Sequence, residues 1–144
     1  MENEDLWRFM IGFRYGVVSS VAANGTPQSA LVGIAVTPDF EVVFDTLKTT
    51  RKYPNLKARP QCSFVIGWDG EKTVQFEGVA IEPEGDELER CQQAYFAVWP
   101  DGPSRLSWEG ITHFCVKPRW LRYSDFDQSP PLIVEIEFTA ELNP

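Results

Sequence analysis

The chain has 144 residues, 43% of them hydrophobic and 13% aromatic, which suits one folded domain and excludes a disordered chain. Thirteen Lys and Arg stand against 21 Asp and Glu, and the net charge of -8 argues against nucleic-acid and anionic-membrane partners. Three cysteines without Cys-x-x-Cys spacing leave an odd thiol, which fits a reduced, cytoplasmic setting better than a disulfide framework.

The acidic start Met1-Glu2-Asn3-Glu4-Asp5 does not read as a signal peptide, and no stretch approaches the roughly 20 apolar residues of a membrane helix. Leu6, Phe9, Met10 and Phe13 recur at helical spacing, so residues 3–13 are expected to form an amphipathic helix capped near Asn3 and ended by Gly16. Residues 17–23 read as a strand that stops at the hairpin signal Asn24-Gly25. The return run, 28–36, is apolar almost throughout, as for a strand buried on both faces. A third strand is expected over 41–46, and a short helix between Leu47 and Pro60. Strands 62–68 and 72–82 are joined by Asp69-Gly70, and Val74, Phe76, Gly78 and Ala80 share one face of the second. Leu88, Cys91, Tyr95, Val98 and Trp99 form a helical stripe with Asp86 as its cap and Pro100 as its stop. Strands over 112–123 and 132–138, separated by a polar loop, complete a mainly β, antiparallel chain whose hairpins suggest a Greek-key-like barrel in one domain spanning 1–144.

The stretch Phe44-Asp45-Thr46-Leu47-Lys48-Thr49-Thr50-Arg51-Lys52 carries the most chemistry. A strand end, hydroxyls and an Arg-Lys pair supply what a terminal phosphate wants: a planar guanidinium, an ammonium point charge and short polar donors. The same residues also make an ordinary solvated loop. Pro54 fits the first helical position, which leaves Arg51 and Lys52 in the preceding loop. His113 is the single histidine, so a multi-histidine metal site is excluded, and its ordinary role is that of a strand residue. No nucleophile elbow, Walker-type loop or Gly-x-Gly-x-x-Gly fingerprint occurs. The acids at Glu82, Glu84, Asp86, Glu87 and Glu89 read as a solvated helix start rather than a metal site. Trp99, Trp108 and Trp120 suit either core and interface packing or stacking on a planar ligand.

Taken in order, these pieces resemble the flavin-binding split-barrel family related to pyridoxamine 5'-phosphate oxidase. The matching residues are Ala23-Asn24-Gly25-Thr26-Pro27, Val43-Phe44-Asp45-Thr46, Thr50-Arg51-Lys52 with Asn55-Leu56, Pro60-Gln61-Cys62, Val74-Gln75-Phe76-Glu77-Gly78 and the stretch His113 to Asp125. The resemblance implies a homodimer of six-stranded split barrels with FMN in the interface groove. It implies phosphate contacts from Thr50, Arg51 and Lys52, and places the family's aromatic-Thr pair on Asp45 and Thr46. The strand beside the flavin ring falls on Ala30 to Gly33, Val32 included, and a later-strand Gln falls near Thr73 or Gln75. Trp120 is a candidate cover for the ring. The activity implied is redox chemistry on a small-molecule substrate through flavin N5. Alternatives are a flavin carrier or redox sensor without turnover, or a deazaflavin in the same groove; heme also occurs in relatives, with His113 its one conventional ligand here. The oxidase's flanking Arg and Lys read Ala30 and Ala35, no second phosphate site is found, and its C-terminal Arg- and His-bearing segments have no counterpart in 138–144. Activity on pyridoxamine phosphate itself is therefore not expected.

Overall fold

The first helix, α1 (Asn3–Ile11), buries Leu6 and Met10, the two residues its apolar stripe offers to the core. In the computed structural model, which describes residues 1–139, it is capped one residue earlier than expected. The Glu2 backbone N–H donates to the Asp5 carboxylate at 3.0 Å. The helix stops at Ile11, yet Phe13 still packs on Phe9 with ring centroids 5.2 Å apart.

Eight strands follow among the described residues: β1 (Tyr15–Val21), β2 (Pro27–Gly33), β3 (Ala35–Val36), β4 (Val42–Leu47), β5 (Gln61–Asp69), β6 (Lys72–Ile81), β7 (Ile111–Asp125) and β8 (Leu132–Glu137). Helix α2 (Lys52–Ala58) lies between β4 and β5. Helix α3 (Gly85–Val98) and a 3-10 helix at Gly102–Ser107, which the sequence did not announce, lie between β6 and β7. The order is β2-β1-β5-β6-β7-β4-β3, every pairing antiparallel, with β8 added beside the C-terminal half of β7. β2 and β3 are one run broken at Ile34: the first half pairs with β1 and the second with β4. That break brings the two ends of the sheet round to each other and makes a six-stave antiparallel split barrel, open beside β2.

Side chains alternate as the pleat requires. Val74, Phe76, Gly78 and Ala80 of β6 all face inward, as their spacing predicts. Phe44, Phe64, Phe76 and Phe114 stack around the barrel centre, with neighbouring rings 5.7–5.9 Å apart. A second, smaller core lies outside the barrel, where Cys91 and Tyr95 of α3 cover Ala35, Val43 and Cys115. The cap of α3 is Glu84, two residues before Asp86. The Asn24-Gly25 turn forms as expected, with Gly25 at φ 89° and the Thr26 N–H donating to the Asn24 side chain at 3.0 Å.

Two expectations are corrected. Gly16 does not end the helix; it lies inside β1, where a Cβ would press on Ile34, Phe64 and Ile66 at 3.3–3.4 Å. The apolar run 28–36 is not a continuous strand buried on both faces. β2 closes one edge of the sheet and Leu31 on its outer face is 62% exposed. The run is apolar because Val32, Ile34 and Val36 fill the barrel, Ala35 lies under α3, and Leu31 belongs to a surface left bare. Expectations for residues 140–144 lie outside the described residues.

A cationic corner at the open edge of the barrel

β4 ends at Leu47 and the chain turns back through Lys48–Arg51 into α2. Thr50 holds that turn twice, its backbone N–H and its hydroxyl both donating to the Leu47 carbonyl, at 3.1 and 2.9 Å. The Thr46 hydroxyl, buried at the end of β4, meets the Thr50 hydroxyl at 3.0 Å. The two threonines thus brace the corner that presents Arg51 and Lys52. Lys52 is the first residue of α2 and Arg51 precedes it as the cap, while Pro54 stands third rather than first. A proline in the first turn removes an N–H that has no helical partner anyway, so the helix starts two residues earlier than expected.

Arg51 and Lys52 line a cavity of about 150 Å³ with Val18, Ser20, Gln28, Ser29 and Ala30. Neither cation takes part in any ion pair among the described residues. Burial pushes the Lys52 ammonium below the ordinary lysine value, with no carboxylate to offset it. In a chain of net charge -8, these two cations concentrate positive charge on one small cavity. The cavity also abuts the outer edge of β2, which has no neighbouring strand over Gln28–Ala30, so backbone groups there are open to a ligand.

Two polar residues of this corner, Ser20 and Gln28, escaped the sequence reading, and Asn55 entered it only through the resemblance. The Asn55 amide, buried on α2, donates to Ser20 Oγ at 3.1 Å and to Gln28 Oε1 at 2.9 Å, tying the helix to β1 and β2. Polar residues at inward positions of otherwise apolar strands were the signal available.

The other expected residues lie elsewhere. Asp45 faces away from Thr46, onto the outer core, where its carboxylate accepts from Arg105 Nε at 2.9 Å and from the Tyr95 hydroxyl at 3.1 Å. Adjacent strand residues point to opposite faces, so one of the pair had to leave the corner. The Val32 side chain is in the barrel core, and only its backbone lies along β2. Gln75 and Trp120 are on the outer face of the sheet: Gln75 pairs with Val65 and Arg122, and Trp120 Nε1 donates to Glu135 at 3.2 Å. The single chain therefore does not bring Gln75 or Trp120 to Arg51 and Lys52. Trp99 packs as a core residue, its indole lying where a Gly33 Cβ would be, 2.6 Å away, and its N–H donating to the Ile34 carbonyl. His113 is buried against Tyr95 and Phe96, its Nε2 without a hydrogen-bond partner, and burial lowers its pKa.

An antiparallel split barrel with two cations at a cavity on its open edge is the class that fold and corner define. The chain belongs to the pyridoxamine 5'-phosphate oxidase family, whose sequence profile matches residues 4–123. No curated protein matches it. Among solved structures it is similar to a heme-binding protein from Mycobacterium smegmatis, with a TM-score of 0.80 at 16% identity over 95% of this chain and 58% of that one. It is also similar to a protein of unknown function from Agrobacterium tumefaciens, with a TM-score of 0.73 at 16% identity over 83% of this chain and 55% of the other. A pyridoxamine 5'-phosphate oxidase-related, FMN-binding protein from Nostoc punctiforme gives a TM-score of 0.70 at 12% identity, covering 96% of this chain and 88% of that one. The chain thus spans little more than half of the first two proteins. No helix among the described residues is long and apolar enough to cross a membrane.

Proposed function

We propose that the protein binds FMN at this corner and serves as a flavin-dependent oxidoreductase acting on a small molecule in the cytoplasm. The carrying observation is the pair Arg51 and Lys52, without acidic partners, on the cavity beside the open edge of β2. Arg51 would grip the flavin phosphate through its guanidinium and Lys52 through its ammonium. Thr46 and Thr50 position them, and the β2 backbone near Ala30 and Val32 would orient the ring. FMN, when bound, would supply the electron chemistry through N5, which agrees with the lack of any nucleophile or acid–base constellation in the corner.

The same reading includes a homodimer. Leu31, Val17 and Val65 stand in one register row across β2, β1 and β5, and Leu31 and Val65 are exposed. Gln75 continues that row on β6, so a second copy packed there would bring Gln75 and Trp120 to the cofactor from across the interface. A heme role is less well supported, because His113 is walled in by Tyr95 and Phe96.

The phosphate assignment is tested by comparing FMN with riboflavin, which lacks the phosphate, in equilibrium binding to the purified protein. FMN is expected to bind at about one per chain and at least roughly 100-fold more tightly than riboflavin, as two charge-assisted contacts require. Equal affinities would remove Arg51 and Lys52 from the site. Steady-state oxidation of NAD(P)H by the FMN-loaded protein separates an oxidoreductase from a carrier.

A further inference from the structure

On the side of the barrel covered by α3, helical spacing places Glu87 and Cys91 one turn apart on the face turned to β7, which presents Cys115. The Glu87 carboxylate and the two sulfurs all lie within 4.8 Å of one another. Cys115 and Glu87 also line a groove of about 970 Å³ beside the Pro38–Glu41 turn, so Cys115, although buried, borders that groove, and Cys91 lies buried beside it. We propose that Cys91 and Cys115 are a peroxide-sensitive dithiol that closes to a disulfide, a modification site independent of the flavin corner.

The pair is buried in the outer core, with two cations beside it that are shared with Glu41 and Glu87. Arg90 Nη2 lies 4.0 Å from Cys91 Sγ, and Lys117 is two residues from Cys115 on the same strand face. The neighbouring Cys115 thiol and the Arg90 guanidinium lower the Cys91 pKa against the opposing effects of burial and of the Glu87 and Glu41 carboxylates, whereas Cys115, beside Cys91 and buried, is raised. The third cysteine has neither partner nor cation: Cys62 lies at the barrel interior and burial pushes it up to about 12.

The Cys91 thiolate attacks one oxygen of hydrogen peroxide, the O–O bond breaks, and hydroxide leaves as a Cys91 sulfenic acid forms. The Cys115 sulfur then attacks the sulfenic sulfur, expelling its oxygen as water and forming the S–S bond. Two thiols are oxidised by two electrons and one peroxide is reduced to two waters. Moving from contact distance to bonding distance needs both side chains to turn toward each other, with α3 held to β7 afterwards.

The test is a non-reduced peptide map of the full-length protein, first reduced, then exposed to stoichiometric peroxide. One disulfide joining Cys91 and Cys115 is expected, with Cys62 still titrating as a thiol and dithiothreitol reversing the link. Three thiols remaining, or Cys62 reacting as fast as the pair, would overturn the proposal. One tightly bound zinc per chain that must be chelated before the link forms would also overturn it, making the pair ligands instead. Cys115→Ser should stop at a Cys91 sulfenic acid trapped by a dimedone reagent, and Arg90→Ala should move the onset of peroxide reactivity to higher pH. If Cys115→Ser fails to fold, the wild-type map decides alone.

Discussion

The corner holding Arg51 and Lys52 and the cluster holding Arg90 and Lys117 carry the same charge and handle it in opposite ways. Beside α3, Arg90 donates to Glu41 at 2.9 Å and to Glu87, and Lys117 donates to the same two carboxylates. Glu41 is buried, and the two cations hold its carboxyl below the usual glutamate value against the opposing effect of burial. Every charge there is answered within the chain, so the cluster locks α3 to β4 and β7. At the other end of β4, Arg51 and Lys52 form no ion pair among the described residues, although acids outnumber bases in the chain. Under the proposed function, these two cations are the ones left for a ligand. The difference is between charge paired within the fold and charge left without an ion-pair partner among the described residues.

The largest expected effect breaks the second half of that contrast. Arg51→Ala with Lys52→Ala should weaken FMN binding by about 100-fold or more, since each charge-assisted contact is worth roughly 1.5–3 kcal/mol, while the melting temperature changes little. Glu41→Ala attacks the first half. It leaves Arg90 and Lys117 with Glu87 as their one shared carboxylate and should cost roughly 1–3 kcal/mol in denaturant unfolding, with FMN affinity nearly unchanged. A similar contrast runs through the neighbours Asp45 and Thr46. Asp45→Ala should lower stability by roughly 1–2 kcal/mol, because the partly buried Arg105 loses one of its two carboxylates and the Tyr95 hydroxyl loses its acceptor. Thr46→Val should instead loosen the Thr50 turn and raise the FMN Kd several-fold.

The smallest effects are in pH. Because burial depresses the pKa of Lys52, FMN affinity in the apo-protein titration should begin to fall below the pH at which an ordinary lysine, near 10.5, would lose its proton. His113 has a folded value below its unfolded 6.5, so the unfolded chain binds the extra proton first. Stability should therefore fall as pH drops below about 6.5 and level off once the folded value is passed. His113→Phe should flatten that slope in unfolding experiments across the same range.

Much of the architecture was readable because the periods were clean. Val74, Phe76, Gly78 and Ala80 alternate without interruption, and Asn24-Gly25 and Asp69-Gly70 have few conformations open to them. The run 28–36 misled because apolar content does not say which neighbour does the covering; a barrel interior, a helix and a bare outer face each claimed part of it. Arg51 and Lys52 were findable as a motif, but their lack of acidic partners was not, since pairing is decided by strands far apart in the chain. Arg105, the partner that takes Asp45, lies 60 residues away in a 3-10 helix with no periodicity to announce it. Asn55 was visible only as part of a resemblance, and its task of tying α2 to Ser20 and Gln28 depends on packing.

The most direct measurement is an FMN titration of the wild-type protein beside the Arg51→Ala, Lys52→Ala double variant, followed by flavin fluorescence with circular dichroism as the folding control. Saturation near one FMN per chain in the wild type, with affinity lost in a variant of unchanged fold, is the predicted result. Equal FMN affinity in the two proteins would contradict the account and return the corner to an ordinary basic surface.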